Sequence, residues 1–268
     1  MPTPPPIPAI EDATQQVERY GFAVVEDVLM PTRVDALTAG VERAAAQAAA
    51  QGDKTGYGFR DLFDAVPETR QLLQEPHVVR LVTQVLGPGA FAVRGLLFDK
   101  IDGANWHVGW HQDQAIAINH KHPPQGMPGA VPGFGPASIK NGVPHTRASA
   151  EILQHMLAVR LHLDDCGEDD GPLRCAPGSH TLGRLDPADS LRTLKRCGET
   201  TCTVGRGGAL LMRPLCLHAS SPATSPSHRR VMHIEFANCE LPNPLDWHER
   251  RALSADGVCA KQAGTPTV

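Results

Sequence analysis

The stretch WHQDQAIAI, residues 110–118, joins a histidine and an aspartate to an apolar run. Its β-prone residues predict a strand from Gln112 to Ile118. In an extended chain, residues two apart point to the same face, so we expect His111 and Asp113 to project together. The segment therefore pairs one imidazole with one carboxylate, which are both common metal ligands.

Further β-prone runs surround this segment in the C-terminal two-thirds of the chain. Gly, Pro, Asp and Ser separate them, and they cover residues 91–101, 157–163, 173–176, 200–204, 209–212, 215–217 and 231–237. Short strands without alternating helices favour a mainly β fold, a sandwich or barrel such as a jelly roll. Helical patterns at residues 13–20, 31–51 and 66–86 predict helices that flank this core.

Length and composition favour a single domain. The chain has 268 residues, of which 41% are hydrophobic, enough for a sizeable buried core. We expect a Pro-rich arm without regular structure at residues 1–12, one domain at residues 13–250 and a C-terminal tail at residues 251–268. Within the domain, the Gly- and Pro-rich segment 119–150 is long for a connection, and we predict that it is a lid loop.

The charge pattern argues against nucleic acid and membranes as partners. The formal net charge is −4, from 25 basic and 29 acidic residues without a basic block. No run approaches the about 18 apolar residues of a membrane span, and no signal-peptide pattern opens the sequence, so a cytoplasmic location is expected. Seven cysteines without a Cys-x-x-Cys pair are expected to be reduced thiols. A small-molecule substrate is the expected partner, and the oligomeric state is not indicated.

A third metal ligand is predicted downstream. His218 follows the apolar run 208–217, and it can complete a set of two histidines and one carboxylate with His111 and Asp113. Bound to one face of an iron(II) ion, such a set leaves positions open for a chelating cosubstrate and dioxygen. A structural zinc site, in contrast, has four protein ligands. We therefore predict that these three residues are both the metal ligands and the catalytic residues of an oxygenase.

Two arginines are candidates for binding a carboxylate near this metal. Arg229 lies eleven residues past His218, at the start of a strand. Its guanidinium can hold the far carboxylate of a 2-oxo acid through two hydrogen bonds, although the adjacent Arg230 competes for this role. Arg160 lies on a strand face opposite the leucines, where a buried charge needs an anionic partner. An outer-face salt bridge is the alternative for Arg160.

Five positions in order carry a family resemblance: His111-x-Asp113, His218, Ser220 and Arg229. Together they resemble the phytanoyl-CoA dioxygenase family of Fe(II)/2-oxoglutarate oxygenases. The stretch DGPLRCAPGSH, residues 170–180, is similar to the turn between that family's third and fourth barrel strands. The resemblance covers about residues 20–238. It implies a double-stranded β-helix core, of the jelly-roll or cupin-like kind, with helices packed on one side.

The resemblance also implies the chemistry. Fe(II) would be the metal, 2-oxoglutarate the cosubstrate and O2 the oxidant, and succinate and CO2 would be released. Because Asp113 stands where halogenating relatives have a small residue, hydroxylation or a related oxidation of a small organic substrate is expected. Two alternatives stay open, a cupin-like enzyme with another metal and a non-catalytic metal-binding relative.

The same resemblance suggests further residues around the pocket. Gln112 would lie near the cosubstrate, although strand alternation points it away from the metal. Ser220 would add a hydroxyl hydrogen bond to the cosubstrate, but ordinary turn chemistry near Ser221 explains it equally well. Rough alignment adds three pocket candidates: Tyr57, Arg60 and Lys100.

Overall fold

The computed structural model describes residues 10–50, 58–120, 131–224 and 228–254. Most of the predicted N-terminal arm and C-terminal tail lies outside these residues, as does Tyr57. The helices are α1 (Ile10–Tyr20), α2 (Pro31–Ala50), α3 (Leu62–Ala65), α4 (Pro76–Leu86), α5 (Ala150–Gln154) and α6 (Pro187–Cys197), with 3-10 helices at Pro67–Gln74, Glu168–Asp170 and Ser179–Leu182. Among the described residues, no helix has the length and apolar character needed to cross a bilayer.

Antiparallel strands form most of the remaining structure. They are β1 (Phe22–Val25), β2 (Phe91–Lys100), β3 (Val108–His111), β4 (Ala115–His120), β5 (Ser138–Lys140), β6 (Val143–Arg147), β7 (Met156–His162), β8 (Leu173–Cys175), β9 (Thr200–Cys202), β10 (Ala209–Met212), β11 (His218–Ser220), β12 (Arg229–Ala237), β13 (Leu245–Trp247) and β14 (Arg251–Ala252). Three sheets result, in the orders β1-β10-β7-β12-β2-β14, β3-β11-β8-β9 and β13-β4-β6-β5. The predicted mainly β fold with flanking helices is confirmed.

The six-stranded sheet has one apolar and one polar face. Along β12, Met232, Ile234 and Phe236 belong to the main buried core, which also contains residues of α1, α2 and α4. Because side chains alternate along a strand, Arg229, His233 and Glu235 point to the other face. The N-terminal helices thus cover the apolar face, and the polar face is left for a site.

The helix boundaries follow from proline and glycine. Proline begins both α2 at Pro31 and α4 at Pro76, since it lacks the N–H that a first helical turn leaves unpaired. The helical pattern at residues 66–86 is divided at Pro76 into a 3-10 helix, which begins at Pro67, and α4. Gly87, at a φ of +88°, ends α4 in a conformation that favours glycine.

Several predicted strands are displaced in the structure. The strand expected at residues 112–118 begins at Ala115, because residues 112–114 leave the sheet to form the site. The strand expected at residues 215–217 is instead β11, three residues later. Short elements escaped the sequence patterns altogether, among them β13, α5 and α6.

The segment 119–150 contains regular structure. Residues Ser138–Lys140 and Val143–Arg147 pair as a hairpin, and the hairpin joins β4 in the third sheet. Asn141 and Gly142 connect the two strands with positive φ angles of 48° and 79°, as two-residue hairpin turns require. Residues 121–130 lie outside the described residues, and closure of this segment as a lid stays a prediction.

The predicted end of the domain is also displaced. Strand β14 pairs with β2 through Arg251 and Ala252, so the folded unit continues past residue 250. The two residues therefore belong to the six-stranded sheet and not to the predicted tail.

Candidate active site

The three predicted metal ligands meet at the ends of two neighbouring strands. His111 ends β3 and His218 begins β11, where the two residues are paired across the sheet. Asp113 lies just beyond β3, and its backbone N–H donates to the Pro214 carbonyl at 2.9 Å. Asp113 is therefore not part of the predicted strand, yet the segment after β3 still brings Asp113 to both histidines. One ligand atom from each residue lies within 4.8 Å of the other two.

Both imidazoles are oriented to bind a cation. The Nδ1 atoms of His111 and His218 each lie 2.9 Å from a backbone carbonyl, of Gly109 and Cys216 respectively. A carbonyl only accepts, so each Nδ1 carries the proton and each Nε2 keeps a free electron pair. These Nε2 atoms lie 3.5 and 3.6 Å from the Asp113 carboxylate oxygens. Such backbone bonds are what orients histidine ligands in metal sites.

The three residues His111, Asp113 and His218 form a trio whose charges also suit a metal ion. Burial would raise the pKa of Asp113, but the neighbouring His218 and His111 hold that pKa well below its usual range. Burial lowers the pKa of His218 to about 4, against the opposing effect of Asp113. The trio therefore offers one ionised carboxylate and two nitrogen electron pairs, the donor set of a facial iron(II) site.

A cleft of about 360 Å³ separates the trio from the polar face of the six-stranded sheet. The trio lines one side, and inward-facing residues of β2, β7 and β12 line the other. Besides the trio, the residues that line the cleft include Arg60, Arg94, Leu96, Phe98, Trp106, Val108, Lys140, Arg160, Ser220, Arg229, His233 and Glu235.

One end of the cleft carries two buried cations. Arg229 and Lys100 are paired across β12 and β2, and they are 4% and 1% exposed. The Arg229 Nη1 donates to the Gly171 carbonyl at 2.9 Å, while its Nε is buried without a partner. The Lys100 Nζ donates to Ser220 Oγ at 3.2 Å and to the Ser221 carbonyl. Among the described residues, no carboxylate pairs with either cation, so this end is suited to bind one.

Burial changes the protonation of Lys100. It lowers the pKa of the amine to about 8, and the positive charge of Arg229 adds to the effect. A bound dianion would relieve this penalty by supplying opposite charge.

Arg160 lies in the cleft and not in an outer-face salt bridge. Its Nη1 donates to His233 Nδ1 at 2.9 Å, and its Nε is buried without a partner. His233 therefore carries its proton on Nε2, which donates to Glu235 Oε1 at 3.3 Å. Arg94 contacts the same oxygen at 3.5 Å. A continuous polar row thus crosses the floor of the cleft from Arg160 to Arg94.

The competition between the adjacent arginines is resolved by strand alternation. Arg230 points away from the cleft, where its guanidinium pairs with Asp164 and with Glu42 of α2. Arg229 points into the cleft, as its spacing from His218 predicts.

Gln112 is held by the backbone around it. Its amide NH2 donates to the carbonyls of Leu215 at 2.8 Å and Gly183 at 2.9 Å, and its Oε1 accepts from the Leu185 N–H at 2.8 Å. These bonds fix the position of the residue between His111 and Asp113. A contact between Gln112 and the cosubstrate stays a prediction.

The sequence reasoning missed several residues that line the cleft, among them Arg94, His233 and Glu235. The signal was present in the strand alternation, since His233 and Glu235 lie four and six residues past Arg229 on β12. Each must share its face.

A family model described as Phytanoyl-CoA dioxygenase (PhyH) matches residues 17–231 of the chain. This match covers well over half of the sequence and includes the trio and Arg229. No curated protein matches the chain.

Solved structures share the fold. AviO1 from Streptomyces viridochromogenes Tue57 is 20% identical, with a TM-score of 0.58 over 88% of this chain and 98% of that one. SnoK, a non-heme alpha ketoglutarate dependent carbocyclase from nogalamycin biosynthesis, is 16% identical, with a TM-score of 0.64 and 88% of both chains covered. EctD from S. alaskensis with bound Fe is 16% identical, with a TM-score of 0.62 over 86% of this chain and 78% of that one. These likenesses confirm the jelly-roll architecture.

Proposed function

Because the chain belongs to the phytanoyl-CoA dioxygenase (PhyH) family, we propose that it hydroxylates a small organic substrate in this cleft. It is a non-haem iron oxygenase that depends on 2-oxoglutarate, with Fe(II), 2-oxoglutarate and O2 as its cofactor, cosubstrate and oxidant. The observation that carries the proposal is the donor set, in which two free Nε2 electron pairs face one ionised carboxylate.

The reaction balances with one molecule each of substrate, 2-oxoglutarate and O2. One oxygen atom enters a C–H bond of the substrate to give C–OH, and the other enters succinate as CO2 leaves. His111, Asp113 and His218 hold the iron, which when bound supplies the redox chemistry with dioxygen. The protein residues bind, orient and shield the reactants.

Arg229 binds the far carboxylate of 2-oxoglutarate at the buried end of the cleft. Its unpaired Nε and the nearby Ser220 hydroxyl provide donors, and Lys100 adds a second positive charge. Arg160 has an unpaired Nε on the same cleft and binds the cosubstrate from the floor. Buried donors without protein partners gain most from a charged ligand, because they have no other way to recover their hydrogen bonds.

Exclusion of water is the remaining requirement. Segment 119–150 supplies Lys140 to the wall of the cleft, so it is placed to cover the bound substrate. We propose that it closes as a lid during turnover, as oxygenases need to protect reactive intermediates. Deletion of residues 121–130 should then raise 2-oxoglutarate consumption without substrate oxidation, and unchanged coupling would contradict the lid.

The proposed function is tested by anaerobic titration of the protein with Fe(II) and then 2-oxoglutarate, followed by visible absorption. A metal-to-ligand charge-transfer band is expected for the unmodified chain. His111→Ala should lose the band, Arg229→Ala should need more 2-oxoglutarate to develop it, and the exposed Arg196→Ala is the matched control. No band from folded, iron-loaded protein would overturn the proposal and favour another metal or a binding role.

A further inference from the structure

The end of the cleft opposite Arg229 carries its own cations. On the polar face of the six-stranded sheet, His233 is level with Leu96 and Arg160, and the next inward row is Glu235 level with Arg94. Arg160 and His233 line the same cleft as His111, Asp113 and His218, so the His233 row faces the trio. The Arg94 row is about 7 Å farther along the strands, away from the cosubstrate end.

Two further cations from distant parts of the chain reach this outer end. Arg60, just before α3, and Lys140, at the end of β5, line the cleft together with Arg94. Among the described residues, neither Arg60 nor Lys140 has an acidic partner. Of the described residues that line the cleft at this end, Glu235 is the one carboxylate, and it is shared between Arg94 and His233.

A small recess next to the outer end is lined by the same cations. It is lined by Arg60, Arg94, Lys140 and His145. The acids of the recess do not cancel the cations, because Glu249 pairs with Arg251 and Asp61 is exposed outside the main cleft.

His145 lies close enough to these cations for their charge to affect its pKa. It is 3% exposed, its Nδ1 donates to the Val143 carbonyl, and its Nε2 is buried without a partner. Burial lowers the pKa of His145, and the charges of Arg94 and Lys140 lower it further.

The wall between the two cationic ends is partly apolar. Leu96 and Phe98 lie on β2 between Arg94 and Lys100, whereas Trp106 lies against Lys100 and Val108 pairs with Ser220 near the inner end. From the trio to the outer end, a ligand therefore passes Leu96 and the polar row of Arg160 and His233 before it reaches the outer cations.

We propose that the substrate oxidised here is a small molecule with a terminal carboxylate or phosphate, bound at its anionic end by Arg60, Arg94 and Lys140. The inference rests on the proposed function, since it takes the trio as the place of oxidation. It assigns two carboxylate-type sites to one cleft, the buried end for the cosubstrate and the outer end for the substrate. The oxidised carbon then lies a few bonds from the anionic group.

The test compares the binding of three probes with six carbon atoms, by calorimetry under anaerobic conditions. Hexanoate, hexyl phosphate and the neutral hexanamide are titrated into protein saturated with Fe(II) and 2-oxoglutarate, so that the Arg229 end is filled. At least one anion is expected to bind at least tenfold more tightly than the amide, and the preferred anion separates carboxylate from phosphate substrates. Equal affinity of the amide, or no anion binding at millimolar concentration, would overturn the inference.

A double variant locates the anion. Arg60→Gln combined with Lys140→Gln should weaken anion binding at least tenfold, while Lys195→Gln with Arg196→Gln on exposed α6 makes the same charge change far from the cleft. Equal loss in both variants would overturn the assignment. If the Fe(II)–2-oxoglutarate complex itself does not form, the proposed function fails. The same probes titrated into the Arg229→Met variant then still test anion binding at the outer end separately.

Discussion

The two ends of the cleft present their cations in physically different ways. At the inner end, Arg229 and Lys100 are buried, and their side chains donate to neutral oxygens of Gly171, Ser220 and Ser221. At the outer end, Arg60 and Lys140 are exposed. The inner end is preorganised and dry, whereas the outer end is open and surrounded by water.

This difference fits the two molecules that the cleft has to bind. A cosubstrate of fixed structure is served by rigid, buried donors, whose strength is not screened by salt. A substrate that arrives from solvent is guided by exposed charges, which act over longer distances but contribute little affinity each. The following experiments test this contrast in order of expected effect.

The largest effect is expected between the two ends, at the trio. Asp113→Ala removes the only carboxylate ligand of the trio, so iron affinity should fall at least about 100-fold and 2-oxoglutarate consumption should fall below detection. Metal content and succinate release measure both effects. Asp189→Ala, an exposed change on α6, is the control. Retained iron and turnover would mean that the trio is not the metal site.

A large effect is also expected at the inner end. Arg229→Met leaves Gly171 without its donor and removes the buried charge, so the dissociation constant of 2-oxoglutarate should rise about 30- to 100-fold, or about 2–3 kcal/mol. Anaerobic titration of the visible band gives the constant. Iron content should change little, and a normal 2-oxoglutarate affinity would remove Arg229 from the inner end.

A pH dependence should distinguish the buried end from the open one. Lys100 has a pKa of about 8 in the folded protein, so the affinity for 2-oxoglutarate should fall as the pH rises above 8 and the amine loses its charge. A drop of up to about tenfold per pH unit is the limit for one proton. Lys100→Met should bind more weakly but with a flat profile between pH 7 and 9, and a variant that keeps the slope would assign the titration to another group.

The same shift predicts the sign of a stability change. The folded-state pKa of Lys100, about 8, lies below the unfolded value of 10.5, so the unfolded chain binds more protons between these values. The free energy of unfolding from this group should therefore rise with pH across that window. Urea denaturation of the protein and of Lys100→Met at both ends of the window measures the difference.

The smallest effect is expected from salt. Raising the ionic strength from about 0.05 M to about 0.5 M shortens the screening length from about 14 Å to about 4 Å. Anion binding at the outer end should weaken a few-fold, and 2-oxoglutarate binding at the buried end should change less than twofold. Equal salt dependence at both ends would erase the proposed contrast.

The sequence predicts the inner half of this site better than the outer half. His111, Asp113, His218 and Arg229 lie at short, fixed distances along the chain from strands with clear patterns, so their convergence could be expected. Arg60 precedes α3 and Lys140 ends β5, far from each other along the chain. The family resemblance suggested Arg60 as a pocket residue, but no sequence pattern indicated Lys140 or its position near Arg94.

The fold errors have equally local causes. Asp113 was expected on a strand, but residues 112–114 lie outside the sheet, where Gln112 bonds to Gly183, Leu215 and Leu185, and no short-range pattern encodes these bonds. The hairpin in the predicted lid was signalled by Asn141-Gly142, which is a strong turn pair, but the surrounding Gly and Pro residues concealed it. The core strands were found because apolar alternation is independent of distant contacts.

The alternation of apolar and polar side chains along β12 also disfavours pairing of this strand in the wrong register. A slip of one residue in its pairing would turn Arg229, His233 and Glu235 toward the apolar helices and expose Met232 and Ile234 to the cleft. Three polar groups in that layer would cost several kcal/mol each, so the wrong register is barely populated. Correct packing of the core therefore also positions the side chains proposed to bind the cosubstrate. Mutations that loosen the core should abolish activity at a smaller loss of stability than the one that unfolds the protein.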